Sequence, residues 1–172
     1  MYAAPAISVE AIYYHPTIQQ RVCERQTKVT GGNAPALILE ATDRALASLG
    51  PHVQRLSERV VEAKIRADLM TKLPKRRDIA TALPIGISLD VPKIVAEEKA
   101  KLGAAISGRD LGLIIARYPV RESPALGIIA EKLGFQGRSQ YESAVRQLLI
   151  DDGNALAFSK ALFGSLATDI AT

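Results

Sequence analysis

The sequence has no tryptophan, a single cysteine, two histidines, and only five tyrosines and three phenylalanines. Each scarcity excludes something. Cys23 has no second cysteine with which to close an internal disulfide, so a reducing compartment is expected. One thiol with His15 and His52 falls short of the common zinc ligand sets, and no metal site is expected. With aromatics so few, the core must be built from Leu, Ile, Val and Ala, a composition that favours helices. No apolar run approaches the ~20 residues that cross a bilayer, which argues against a membrane partner. The opening Met1-Tyr2-Ala3-Ala4-Pro5-Ala6 lacks the basic start and apolar stretch of a signal peptide. The expectation is a soluble, cytoplasmic, bacterial-type domain with one core in 172 residues.

Catalytic motifs are missing as well. There is no Gly-rich phosphate loop, no G-x-S-x-G and no H-E-x-x-H. His15 precedes a helix-starting proline and His52 opens a helix, so both read as structural. Cys23 sits mid-helix near an apolar face and reads as inert. Asp151 and Asp152 are adjacent and read as a turn. The balance leans away from an enzyme, and no cofactor is expected.

What is present is a succession of helical segments after one extended start. Residues 7–14, rich in β-branched and aromatic types, read as a short strand. A helix from His15-Pro16 stops at Gly31-Gly32, and Asn33 caps the next, which ends at Gly50. The longest helix runs from Pro51 to Leu73, with an apolar seam of Val53, Leu56, Val60, Ala63, Ala67 and Met70. Pro74 breaks it. Residues 79–89, with Pro84 and Gly86, read as a connector in which Ile85 to Leu89 would be extended. Asp90 caps a helix ending before Gly103. Four short helices follow, opened by Ser107, Ser123-Pro124, the capping box Ser139 to Glu142, and Asn154. The predicted fold is a mainly α multi-helix bundle with one N-terminal strand and a C-terminal helical hairpin. Its two parts are residues 1–78, including the long basic helix, and 79–172, together one compact unit.

Charge is unevenly placed. Between Pro51 and Ala80 stand Arg55, Arg59, Lys64, Arg66, Lys72, Lys75, Arg76 and Arg77 against Glu58, Glu62, Asp68 and Asp78, which accounts for the whole net charge of +4. Such an excess attracts nucleic acid, an anionic membrane or an acidic protein, or it is simply a solvated helix face.

The most informative run is Ile129 to Val145. Ala130 is small enough for a crossing helix to approach, Gly134 suits a positive φ in a tight turn, and Phe135 plugs the angle between helices. Tyr141 and Val145 would pack the second helix on the first. The outer face then presents Arg138, Ser139, Gln140 and Arg146, residue types that bond phosphates or base edges. In Ala130, Gly134, Phe135, Ser139, Tyr141 and Val145 the segment 124–150 resembles the second helix-turn-helix of the AraC-like transcription factors. That resemblance implies DNA as a partner, and the charge excess of the basic segment 55–77 adds Lys75, Arg76 and Arg77 as candidate contacts. The family's preceding helix-turn-helix and linker helix have no counterpart here, so any αα-hairpin with a glycine turn is the competing reading. Residues 7–14 are similar to a strand-and-Glu segment of TOPRIM-like nucleases that accompany AAA-type ATPases. Their Asp-x-Asp does not occur in this sequence, so that resemblance implies a helical accessory part and not a catalytic centre. The functional expectation is a helical binding module for nucleic acid. The alternatives are a protein-interaction or assembly domain, with a homo-oligomer or a protein partner, and the accessory role.

Overall fold

The computed structural model describes residues 9–74, 76, 79 and 89–162. These form α1 (Val9–Tyr13), α2 (Pro16–Thr30), α3 (Ala34–Leu49), α4 (Val53–Lys72), α5 (Val91–Ser107), α6 (Leu111–Arg117), α7 (Ala125–Lys132), α8 (Arg138–Asp151) and α9 (Gly153–Leu162). Single 3₁₀ turns at Gly50–His52 and Val120–Glu122 join neighbours.

The caps explain most of the boundaries. His15 accepts a hydrogen bond on Nδ1 from the Thr17 amide (3.2 Å), and Pro16 opens α2 without wasting a donor. Gly31, at φ +78°, ends that helix. The Asn33 side chain accepts from the Ala36 amide (3.2 Å) at the start of α3. Asp90 does the same for Lys93 at the head of α5.

The expected strand is absent: residues 9–13 form α1, no strand occurs among the described residues, and Ile7 and Ser8 lie outside them. The physical reason is pairing. A lone strand leaves a row of amides and carbonyls without partners, whereas a helical turn satisfies them locally. The amide of Tyr14 accordingly donates to the Glu10 carbonyl (2.9 Å). Of the expected extended piece from Ile85 to Leu89, residues 85–88 also fall outside the described residues.

Other boundaries moved for local reasons. Helix α5 passes through Gly103, because burying Leu102 and Ala105 on one stripe favours continuation, and it ends where Arg109 takes φ +59°. Asp110, not Ser107, then caps α6, accepting from the Leu113 amide (2.9 Å). Helix α8 begins at Arg138, so Ser139 is inside it and no capping box forms. The Asp152 carboxylate, not Asn154, caps α9, accepting from the Asn154 and Ala155 amides.

The interior has two regions. In the first, α3 packs on α7, burying Ala41, Ala45 and Leu49 from one and Leu126, Ile129 and Ala130 from the other. The alanines let the two axes come close. Helix α2 lies against α3 and α8, and Tyr14, Phe135 and Tyr141 stack between them with centroids 4.8 and 5.4 Å apart. In the second region α4 packs on α5, and α5 on α6.

The seam of α4 departs from expectation. Its buried residues are Leu56, Ser57 and Val61, while Val60 is half-buried and Ala63, Ala67 and Met70 are exposed. The helix packs on α5, and the C-terminal half of the predicted seam is not covered by the described residues.

Candidate functional site

The helix pair α7–α8 folds as its residues require. Gly134 has φ +87°, and an added Cβ would meet only the Gln26 side chain at 3.7 Å, so the turn needs glycine for conformation and not for space. The Phe135 amide closes the turn on the Ala130 carbonyl (3.0 Å), and Tyr141 and Val145 are fully buried.

The outward residues do not form one basic face. Arg138 is bound by two carboxylates, Glu142 on its own helix and Glu10 of α1 (3.0 Å), with its side chain only 28% exposed. It fastens α8 to α1. Ser139 is exposed, as is Gln140, whose side-chain oxygen accepts from the Gln136 amide (2.6 Å). Arg146 is exposed and reaches no further than Ser143 (2.9 Å). Arg76 is exposed; Lys75 and Arg77 lie outside the described residues.

The cations of α4 enter ion pairs and hydrogen bonds, some along the helix and some across to other elements. Arg59 pairs with Glu62 (3.2 Å) and with Glu122 (3.4 Å), Arg66 pairs with Glu62 (2.8 Å), and Arg55 donates to the Glu122 carbonyl. Lys64 reaches Glu98 of α5 at 2.7 Å.

Glu98 is the residue that sequence reasoning missed. It is 1% exposed, and its carboxylate receives Lys64, the Nε and a terminal nitrogen of Arg117 (3.0 and 3.1 Å), and the Tyr118 hydroxyl (2.9 Å). Burial alone would push this carboxyl's pKa up. The hydrogen bonds from Lys64, Tyr118 and Arg117 outweigh burial and hold the pKa below the ordinary glutamate value. Tyr118 is in turn pushed up to about 12, by burial and by donating to that carboxylate. A signal was available: Ile94, Glu98, Leu102 and Ala105 share one stripe of α5, so an acid stood where an apolar residue was due.

Above this network opens a groove of about 1010 Å³ between α4 and the segment from Ile115 to Glu122. Val60, Ala63 and Ala67 form one wall and Ala116, Tyr118, Pro119 and Val120 the other, with charged side chains at the rim. Lys64, Arg117 and Tyr118 line it and all bind Glu98, so the buried carboxylate ties the two walls together.

The former acid–base candidates are placed structurally. His15 caps α2 with its ring edge on Phe158 (4.9 Å), and burial lowers its pKa. His52 stands in the turn before α4 and makes no side-chain cap. Cys23 is fully buried, which pushes its thiol pKa up, away from reactivity. Asp151 and Asp152 pair with Arg25 and Arg21 (both 2.6 Å), fastening the α8–α9 junction to α2. Among the described residues no group of three or more His, Cys, Asp or Glu is placed to hold a metal ion, and no helix is long and apolar enough to cross a membrane. No family model, curated protein or solved structure matches this chain.

Proposed function

We propose that this chain is a helical protein-docking module whose working surface is the groove between α4 and residues 115–122. The observation that carries the reading is the unpartnered half of the α4 seam. Ala63 and Ala67 are exposed on the groove wall, and Met70, one turn further on, is 68% exposed. Apolar residues at helical spacing that the described residues leave uncovered are what a partner's apolar face buries.

A second reading keeps the helix-turn-helix as a nucleic-acid contact. It is favoured by the outward Ser139, Gln140 and Arg146, which are polar and exposed on α8, Ser139 and Arg146 standing two turns apart on one line. Against it weighs the charge on α8 itself: Arg138 is held by Glu10 and Glu142, which leaves Arg146 as the cation of that helix for phosphates.

One titration separates the two. Amide chemical shifts would be followed while adding either an amphipathic helical peptide with a neutral polar face or random duplex DNA. Docking predicts peptide-induced shifts at Ala63, Ala67 and Ala116 and none of comparable size with DNA. Shifts at Ser139, Gln140 and Arg146 with DNA alone would transfer the function to α8.

A further inference from the structure

We infer that the groove takes an acidic amphipathic helix; this rests on the docking reading and names the partner's chemistry. Two independent features of the site argue for it. The first concerns backbone. The α4 wall is the middle of a helix, whose amides and carbonyls are already bonded within their own turns, Pro119 on the other wall has no amide to give, and no strand edge occurs among the described residues. An extended peptide lying here would bring a row of amides and carbonyls with nothing to pair with. A helix satisfies its own, and brings only side chains to the small residues Ala63, Ala67 and Ala116.

The second feature is charge. Five cations line the groove against three carboxylates, and the buried Glu98 beneath makes a fourth, so one cation is in excess. The pairing beneath them is also unequal. Glu98 is one carboxylate facing Lys64, Arg117 and, at 3.9 Å, Lys101. Glu10 is shared between Arg121 and Arg138. Lys64, Arg117 and Arg121 keep side chains 49%, 38% and 63% exposed, so the surplus is open to the groove and not sealed beneath it. Carboxylates on the flanks of an apolar helix would meet these cations at the rim.

The test uses the full chain and three designed helical peptides of about 18 residues, long enough to hold a helix. All carry the same leucine face, with Glu, Gln or Lys on the flanks. Affinity would be measured by calorimetric titration and the site by amide shifts. The acidic peptide is expected to bind about tenfold more tightly than the basic one, with the gap narrowing at high salt as exposed charges are screened. Ala67→Glu, at an exposed position, should abolish that preference while leaving the thermal melt unchanged. Equal binding of all three peptides at Ala63, Ala67 and Ala116 would overturn the acidic inference and leave docking standing. No binding by any peptide would overturn both. A concentration-dependent dimer that Ala67→Glu dissolves would assign the groove to a second copy of this chain and so overturn the inference too.

Discussion

Around α3 and α7 the interior is hydrocarbon, whereas α4, α5 and α6 meet around a carboxylate. Leu49, Leu126 and Ile129 are each no more than 1% exposed, and this interface contains no ion pair that is itself buried; Lys132 and Glu40 bridge it from the outside at 2.6 Å. At the other end Glu98 draws Lys64, Arg117 and Tyr118 from two elements onto one point. Hydrocarbon packing is indifferent to pH and salt and is damaged by any loss of volume. A buried carboxylate tolerates small volume changes around it but depends on keeping its charge and its donors. The groove lies over the second region, so its walls are positioned by that carboxylate together with the buried Leu56, Leu102 and Ile114.

The largest effect should come from the hydrocarbon end. Leu126→Ala is expected to cost about 3 kcal/mol, since it removes fully buried volume beside residues with little room to close in. Urea unfolding measures it, and a cost under ~1 kcal/mol would mean that the α3–α7 contact is not the stabilising core. Glu98→Gln should cost about 2 kcal/mol at neutral pH, below the usual range for a buried pair because Lys64 and Arg117 are half-exposed and can be rehydrated. Its pH dependence sharpens the contrast. Because the folded pKa of Glu98 is lowered, its contribution is present above the unfolded carboxyl value of about 4.3 and is lost as pH falls through the folded value. The stability gap between wild type and Glu98→Gln should therefore shrink in urea titrations taken below that value, while the gap for Leu126→Ala stays constant.

Smaller effects test the turn and the outer face of α8. Gly134→Ala should cost about 1 kcal/mol, the strain of a left-handed residue, and Gly134→Asn less, because the space is open and only the backbone objects. Equal losses for both would point to a steric cause. Arg138→Ala should cost about 1 kcal/mol by releasing α1 from α8, and Arg146→Ala less than ~0.5 kcal/mol. Thermal melts of the two single variants distinguish them. If Arg138→Ala is as silent as Arg146→Ala, then Arg138 is a free surface cation after all, and the nucleic-acid reading of α8 gains ground.

The sequence by itself determined the helices from α2 onward, their order and the α7–α8 hairpin. Those rest on local physics: His15-Pro16, Asn33 and Asp90 cap their own helices, Gly134 sets its own turn, and Phe135, Tyr141 and Val145 keep an apolar spacing that any helix pair must bury. Only the tertiary structure decided what each helix faces. It made residues 9–13 helical by denying them a partner strand. It turned Val61 inward in place of Val60, left Ala63, Ala67 and Met70 uncovered, and spent Arg138 on Glu10, which lies 128 residues away in the chain. Glu98 shows the reason most clearly. An acid on an apolar stripe is visible in the sequence, but the donors that make its burial tolerable come from positions 34, 19 and 20 residues away. Local periodicity is silent on such contacts, because whether a charge is paired depends on which elements meet.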